Sequence, residues 1–145
     1  MCAARNDPFA NFNFIVEIEG IAKAGFSEVY GLTVEIEPVE YREGGDPSSA
    51  VRKIPGHARY SNITLKRGST LDLTLWKWVK SVLDGQAIRA AVAITLLNNQ
   101  RQPAARWTVR EAWPCKYEGP SMNAKGNDVA IETLELCHEG LERVE

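Results

Sequence analysis

Two histidines and three cysteines are the side chains of this 145-residue sequence that are best suited to metal binding or nucleophilic catalysis. Residues 138–142 read HEGLE, which begins like the HExxH zinc motif, but Glu142 stands where the second histidine belongs. No CxxC pair is present, and Cys137 and His138 adjoin in a strand-like segment, where successive side chains point to opposite faces. We therefore predict no metal site.

A nucleophile with an adjacent base is equally hard to find. The GxSxG motif and the glycine-rich phosphate loops are absent. Cys115 or Cys137 could meet His57 or His138 only through a tertiary approach, and a half-buried structural cysteine is the simpler interpretation. The glutamates mostly alternate with apolar residues, which indicates solvent-facing positions on strands. We predict no catalytic residue and no enzymatic activity.

A basic segment, residues 53–68 (KIPGHARYSNITLKRG), mixes cations with Tyr60, as nucleic-acid-binding segments do. The net charge of -2 and the pI of about 5.8 argue against this function, because dedicated nucleic-acid-binding domains are usually basic. The other possibility is that Lys66 and Arg67 pair with carboxylates of the acidic segment VEIEPVEYRE, within the chain or across a subunit boundary. Separate acidic and basic segments suit a head-to-tail interface, which closes into a ring or continues as a helix. An oligonucleotide-binding small β-barrel protein is the alternative to self-assembly.

Length and composition indicate a single domain over residues 1–145. Apolar residues make up 44% and charged residues 25%, as in ordinary globular proteins. No apolar run reaches the roughly 18 residues of a transmembrane helix. Residues 1–11 are expected to be a loose leader without the apolar core of a signal peptide, which predicts synthesis and assembly in the cytoplasm. Three widely spaced cysteines suit reduced thiols there.

Apolar and β-branched patterning predicts six strands, at residues 12–20, 32–42, 62–66, 89–97, 107–117 and 128–138. The second strand is unusual because Pro38 interrupts it and the apolar alternation resumes one residue out of phase. Such a slip is typical of an edge strand or a bulge, and it turns the side chains to the other face. A strand that stops at Glu37 is the alternative. Residues 44–55 are predicted to form a long polar loop.

One helix is predicted within residues 69–85, with Ser69 as its N-cap, Asp72 completing a capping box, and Gly85 as its left-handed C-terminal residue. Its apolar stripe leaves Trp78 at the margin, as a partly buried flank or as a contact for a neighbouring subunit. The whole pattern predicts a mainly β protein, a sandwich or small barrel with one flanking helix.

Six segments, taken in order, closely resemble the tail tube proteins of contractile phages: DPFANFNFIVEIEG, AGFSEVYGL, EYREGGD, KIPGHARYSNITLKRG, LWKWV and AWPCKYEGPSMNAKGNDVAIETLELCHEGL. The sequence is most similar to the short tube subunits of phage-tail-like extracellular contractile injection systems, over residues 7–141. The resemblance implies a fold like that of the haemolysin-coregulated protein of type VI secretion, with no enzymatic activity and no required cofactor.

The resemblance also implies a role. Members of this family form hexameric rings with a continuous inner β-barrel, and the rings stack into a rigid tube that a contractile sheath drives through a target envelope to deliver cargo or DNA. The implied partners are other copies of the chain, the sheath protein, baseplate tube-initiation proteins, a tube terminator or cap, and luminal cargo or a tape-measure protein. Neither sequence-specific nucleic-acid binding nor a membrane anchor is implied, and the product is a released extracellular particle or a phage virion.

Transferred to this chain, the resemblance places the bent strand 32–42 and the loop 44–55 at ring-to-ring contacts, and the helix 71–83 on the outside. Strands with exposed Glu and Lys would line the lumen, where any nucleic acid would be met without sequence readout. The residues expected at ring-stacking and lateral contacts are Glu35, Glu37, Tyr41, Arg42, Asp46, Arg52, Lys53, Lys66, Arg67 and Trp78.

Overall fold

The computed structural model describes residues 13–42, 44–45, 51–69, 71–126 and 129–144. In chain order, the elements in these ranges are β1 (Phe14–Ile18), β2 (Ala22–Ala24), β3 (Glu28–Tyr30), β4 (Val34–Tyr41), β5 (Arg52–Tyr60), β6 (Ile63–Gly68), α1 (Thr74–Leu83), β7 (Ala90–Leu97), β8 (Pro103–Glu118), β9 (Ile131–Cys137) and β10 (Gly140–Arg143).

Eight strands form one antiparallel sheet in the order β2-β1-β7-β8-β9-β6-β3, with β10 also paired to β8. Strand β8 is 16 residues long and joins the two halves of this sheet, since its first part pairs with β7 and its last part with β9. Its ladders shift register three times, opposite Ala90–Val92, opposite Leu96–Leu97 and again after Pro114. Such bulges bend a strand, so β8 folds the two halves towards each other.

The core lies between the two halves of the sheet and is closed by the helix. Alternate residues of β1, β7 and β8 supply one side, alternate residues of β6 and β9 supply the other, and three helix residues complete it. Its buried members include Val16, Ile18, Val92, Ile94 and Val109, then Ile63, Leu65, Leu134 and Leu136, and finally Leu75, Trp78 and Val79. The fold class predicted from the sequence, mainly β with one flanking helix, is confirmed.

All six predicted strands are present, most of them with shorter bounds. Strands β2, β3, β5 and β10 were not predicted, and the predicted loop 44–55 is wrong from Arg52 onwards, where β5 begins. Pro55 and Gly56 read as turn residues in the sequence, but here they lie inside β5 at an irregular point of its ladder. Residues 1–11, the predicted leader, lie outside the described residues.

The helix begins later than predicted. It starts at Thr74, and the Oδ1 of Asp72 accepts the Thr74 backbone N–H at 3.0 Å, so Ser69 is not its N-cap. The Ser69 N–H instead donates to the Ala130 carbonyl at 2.8 Å, continuing the β-type contacts beyond Gly68. The predicted C-terminus is confirmed: Gly85 has a φ of 84°, and its N–H donates to the carbonyl of Val82.

Trp78 lies inside the protomer, with 2% of its surface exposed. Its indole N–H donates to the Ile88 carbonyl at 2.6 Å, because the chain after the helix passes close to this face. The expected contact of Trp78 with a neighbouring subunit is therefore wrong. Leu83, the last residue of the helix, is 70% exposed.

Candidate subunit interface

Strands β4 and β5 pair only with each other and form a separate two-stranded sheet, which we call the hairpin. Every residue of β4 and all but one of β5 are exposed. Its large apolar side chains, each 37–57% exposed, are Val34, Ile36, Val39, Tyr41, Ile54 and Tyr60. A two-stranded hairpin is marginally stable on its own in water, so these side chains need a partner surface.

An irregular point divides the hairpin into a root half and a tip half. In the root half, Val34–Ile36 pair with Ala58–Tyr60, and in the tip half, Pro38–Tyr41 pair with Arg52–Pro55, with the register shifting between Ile36 and Pro38. Gly56 occupies this point because a Cβ there would lie 2.6 Å from the Glu37 carbonyl oxygen. The phase slip predicted at Pro38, and the continuation of the strand beyond it, are confirmed.

The two halves expose apolar side chains on opposite faces. Side chains alternate along a strand, so Val34 and Ile36 lie on one face of β4, while Val39 and Tyr41 lie on the other. Residues directly opposite each other share a face, which places Ile54 and Arg52 beside Val39 and Tyr41. The hairpin can therefore bury apolar surface on one face near its root and on the opposite face near its tip.

Charged residues also line the hairpin. An exposed ion pair joins an Arg59 guanidinium nitrogen to a Glu37 carboxylate oxygen at 3.4 Å, and Lys53 lies opposite Glu40 in the ladder. The basic and acidic segments thus meet within the chain through Arg59, but the predicted pairing of Lys66 and Arg67 with the acidic segment is wrong, because these two residues contact Glu28 and Glu132. Exposed pairs of this kind contribute at most about 1 kcal/mol, so they leave the charges available for contacts between copies.

The root of the hairpin is closely packed against the main sheet. Gly31 has a φ of 94°, and a Cβ there would lie 2.1 Å from the Asn62 carbonyl oxygen, so only glycine fits. The Asn62 side-chain nitrogen lies 3.2 Å from Glu135 Oε1, and His138 Nε2 lies 2.9 Å from the Ser61 carbonyl oxygen. These contacts hold the base of a hairpin whose outer part meets no other strand.

Lys66 and Arg67 do not form a basic strip, because successive residues of β6 point to opposite faces. Lys66 Nζ lies 3.9 Å from a carboxylate oxygen of Glu28 and 5.6 Å from the centre of the Tyr30 ring. Arg67 is 6% exposed and binds Glu132 within the protomer. The expected role of Arg67 in subunit contacts is therefore wrong, since its guanidinium is already enclosed.

The enclosed cluster around Arg67 joins the helix to the sheet. Its Nε donates to Glu132 Oε1 at 2.5 Å, and its guanidinium also contacts the backbone carbonyl of Asp72 at 3.3 Å. The Tyr117 hydroxyl donates to Glu132 Oε2 at 3.0 Å. Burial, followed by this hydrogen bond to Glu132, raises the pKa of Tyr117 above its usual value. The cluster stabilises the protomer and contributes no free charge to its surface.

The remaining expected interface residues are exposed on the hairpin or directly beside it. Glu35, Glu37 and Tyr41 lie on β4, Arg42 follows it, and Arg52 and Lys53 begin β5. Asp46 lies outside the described residues. Sequence patterning did not identify the apolar hairpin residues Ile54 and Tyr60 as interface candidates, because β5 carries a proline and a glycine in its middle.

Of the chemistry-bearing residues, Cys115 and Cys137 are brought together. Within the described ranges, no three His, Cys, Asp or Glu side chains are grouped so that they could hold a metal ion. Burial, then a hydrogen bond with the Cys137 thiol, raises the pKa of Cys115 to about 12, which disfavours a reactive thiolate. No helix among the described residues is long and apolar enough to cross a membrane.

Several solved particle structures contain chains that are similar to this one. A chain in the sheath–tube complex of an extracellular contractile injection system, PVC, in its extended state, is 28% identical over 96% of this chain and 93% of that one, with a TM-score of 0.85. A chain in the tube-terminating cap of the anti-feeding prophage, AFP, is 25% identical over 99% and 95%, with a TM-score of 0.88. Hcp1 from Flavobacterium johnsoniae, 14% identical over 91% and 94% with a TM-score of 0.56, shares the fold. No curated protein has a sequence that matches the chain.

The family model of the T4-like virus tail tube protein gp19 matches residues 10–142, which is nearly the whole chain. The similar chains in the PVC and AFP structures agree with this match across the full fold. The resemblance inferred from the sequence segments is thus confirmed. This chain belongs to the T4-like tail tube protein family.

Proposed function

We propose that this protein is the inner-tube subunit of a contractile injection particle, and that it forms hexameric rings that stack into a hollow tube. One observation carries the proposal: the hairpin exposes apolar side chains on opposite faces of its two halves, and its two strands pair with none of the other strands in the described part of the chain. Neighbouring copies would supply the missing contacts. A surface shared in this way by two neighbours suits a heterologous assembly, which closes into rings or grows as a filament.

The partners follow from the particles in which similar chains occur. Those structures are a sheath–tube complex, a sheath/tube terminator, a baseplate and a tube-terminating cap, with chains 25–28% identical to this one. We infer a sheath protein around the tube, baseplate proteins at one end and a terminator at the other. Luminal cargo or a tape-measure protein, and release of the particle from the cell, belong to the same proposal.

The proposed role requires no chemistry of the chain beyond contacts between proteins. A raised Cys115 pKa and a buried, paired Arg67 remove two groups that a catalytic or nucleic-acid-binding function could have used. The oligonucleotide-binding alternative predicts a monomer or dimer whose affinity for nucleic acid falls steeply with salt. No contact in the described residues favours it over self-assembly.

The test is negative-stain electron microscopy with native mass spectrometry of the purified protein over a range of concentrations. We expect rings and tubes of constant diameter, and oligomers that are multiples of six protomers. Ile36→Lys in the root half, or Val39→Lys in the tip half, should weaken assembly, because a lysine blocks apolar contact at an exposed strand without disturbing the core.

Val144→Lys is the matched control, because Val144 is also about half exposed but lies outside the hairpin. It should assemble as the wild type does. A wild-type protein that stays monomeric at high concentration, even with the baseplate of its own particle present, would contradict the proposed function.

A further inference from the structure

Two of the three cysteines lie together on neighbouring strands of the main sheet, Cys115 on β8 and Cys137 on β9. We propose that these two residues form an oxidisable thiol pair, which a small disulfide compound such as oxidised glutathione converts into a disulfide within the protomer. This modification goes beyond the proposed function, which requires no chemistry of the chain. It does not depend on assembly, because both sulfur atoms belong to one copy.

An irregular point of the ladder between β8 and β9 determines where Cys115 lies. The register shifts between Pro114 and Lys116, so Cys115 is the extra residue of a bulge. Bulges commonly turn a side chain in a new direction. The Cys115 Sγ lies 3.5 Å from the carbonyl oxygen of Glu135, which is two residues before Cys137 on the neighbouring strand. The bulge thus places the sulfur beside the part of β9 that carries the second cysteine.

The two thiols are in contact. A hydrogen bond joins the Cys115 thiol to the Cys137 thiol, and Asn62 Nδ2 lies 3.8 Å from the Cys115 sulfur. Sulfur atoms that share a hydrogen bond must approach further to reach a disulfide bond length of about 2.05 Å, and rotation of the two side chains shortens this distance. We therefore expect the disulfide to form without a rearrangement of the sheet.

The two thiols differ in the order in which they react. Burial, followed by the hydrogen bond with Cys137, raises the pKa of Cys115 to about 12, so the Cys115 thiol is protonated at neutral pH. The attacking species in disulfide exchange is a thiolate, so Cys137 attacks the oxidant and Cys115 reacts second. Once Cys137 carries a glutathione, the hydrogen bond between the thiols is lost, and one cause that disfavours ionisation of Cys115 is removed.

The reaction has two exchange steps. The Cys137 thiolate attacks one sulfur of oxidised glutathione, which breaks its S–S bond, forms a mixed disulfide on Cys137 and releases one glutathione thiolate. The Cys115 sulfur then attacks the Cys137 sulfur and displaces the second glutathione thiolate. Two protein thiols are oxidised and one oxidised glutathione is reduced to two thiols. The two protons that the protein loses pass through water to the two released thiolates.

The cross-link would hold β8 and β9 together where their ladder is irregular, close to Asn62 at the root of the hairpin. It also restricts the unfolded chain by closing the loop from Cys115 to Cys137, so we expect the melting temperature to rise by roughly 6–12 °C. The biological setting rests on the proposed function: thiols stay reduced during assembly in the cytoplasm and are oxidised in the released particle.

Thiol trapping and mass spectrometry test the reaction in the Cys2→Ser variant, because Cys2 lies outside the described residues. The folded protein is incubated with oxidised glutathione, and the remaining thiols are then trapped with N-ethylmaleimide in denaturant. We expect a chain that is lighter by two hydrogen atoms, that carries neither glutathione nor N-ethylmaleimide, and whose digest contains a linked pair of peptides with Cys115 and Cys137.

Two matched variants in the same background test the order of the steps. Cys115→Ser should stop at a glutathione adduct on Cys137, whereas Cys137→Ser should remain mostly unmodified, because the Cys115 thiol stays protonated. Glutathione adducts on both cysteines of the parent without an internal bond, or disulfides between chains, would overturn the inference. So would thiols that stay reduced in the folded protein when the same protein in urea is fully oxidised.

Thermal denaturation gives an independent readout. The oxidised parent should melt roughly 6–12 °C above the dithiothreitol-reduced parent, and Cys115→Ser treated in the same way should show no such rise. An oxidised protein that melts at the same temperature or lower would refute a disulfide compatible with the fold. The proposed function is tested separately: tubes with unreactive thiols would contradict only this inference, and a cross-linked protein that never assembles would contradict only the proposed function.

Discussion

Replacement of Arg67 by methionine tests whether the enclosed cluster between helix and sheet stabilises the protomer. The change keeps most of the side-chain length but removes the guanidinium that binds Glu132 at 2.5 Å and the Asp72 carbonyl at 3.3 Å. Glu132, whose side chain is 12% exposed, would then keep only the Tyr117 hydroxyl as a described partner. A buried carboxylate without its cation is poorly solvated, so the folded state loses free energy.

The expected loss is about 3–5 kcal/mol in the free energy of unfolding, as for other buried pairs broken on one side. For a domain of this size, each kcal/mol lowers the melting temperature by about 2–4 °C, so the melting temperature should fall by roughly 6–20 °C. Arg59→Met is the matched control, because it breaks the Arg59–Glu37 pair, whose side chains are 73% and 56% exposed. Its expected cost is below about 1 kcal/mol.

Urea denaturation at concentrations at which the protein is monomeric measures both variants. A third variant, Arg67→Met with Glu132→Leu, removes both charges and should recover most of the loss, since two apolar side chains replace two buried ions. If Arg67→Met costs no more than Arg59→Met, or if the double variant is as unstable as the sum of its parts, the cluster is not a coupled ion pair.

Three further predictions concern the backbone and one carboxylate. Gly31→Ala should lower the free energy of unfolding by more than about 2 kcal/mol, because its Cβ would lie 2.1 Å from a backbone oxygen. Gly85→Ala, at a positive φ with open space around it, should lower it by about 1 kcal/mol. The urea denaturation midpoints of the two variants measure the difference. Glu111→Gly should raise the melting temperature slightly, since Glu111 has a φ of 53° and glycine relieves up to about 1 kcal/mol of strain there. Hydrogen bonds from Thr74 lower the pKa of Asp72 below 3.8, so its ionised form stabilises the fold above that pH. This stabilisation is lost as the pH falls through the lowered pKa, and the advantage of the wild type over Asp72→Asn in urea midpoints should disappear on acidification.

Local patterns predicted much of the fold. Alternation located the first strand, whose Val16 and Ile18 lie in the core, and Gly85 marked the helix end, because these features depend on residues near in sequence. The phase slip at Pro38 identified the irregular point of the hairpin, although its partner strand β5 was missed. That strand has no buried face in the protomer, so no burial pattern in the sequence could reveal it.

The sequence-based predictions were wrong where a contact with a residue far away in the sequence determines the structure. Arg67 is enclosed because Glu132, 65 positions away, provides its counter-charge. Trp78 is buried because the carbonyl of Ile88 accepts its indole N–H. The helix starts after Asp72, whereas the Ser69 N–H still donates to the Ala130 carbonyl beside the sheet. Such tertiary contacts cannot be predicted from residue spacing or from secondary-structure propensity.

The length of β8 has a consequence for how the protomer opens. A strand that pairs with β7 in its first part and with β9 in its last part ties both halves of the sheet into one cooperative unit. Neither half can separate without breaking β8, so a protease should find no stable half-domain. The hairpin lies outside this unit and should exchange its amide hydrogens earlier than the rest of the chain. The main sheet and helix of the protomer would then be rigid, while the hairpin could adjust its conformation to the surface that it binds.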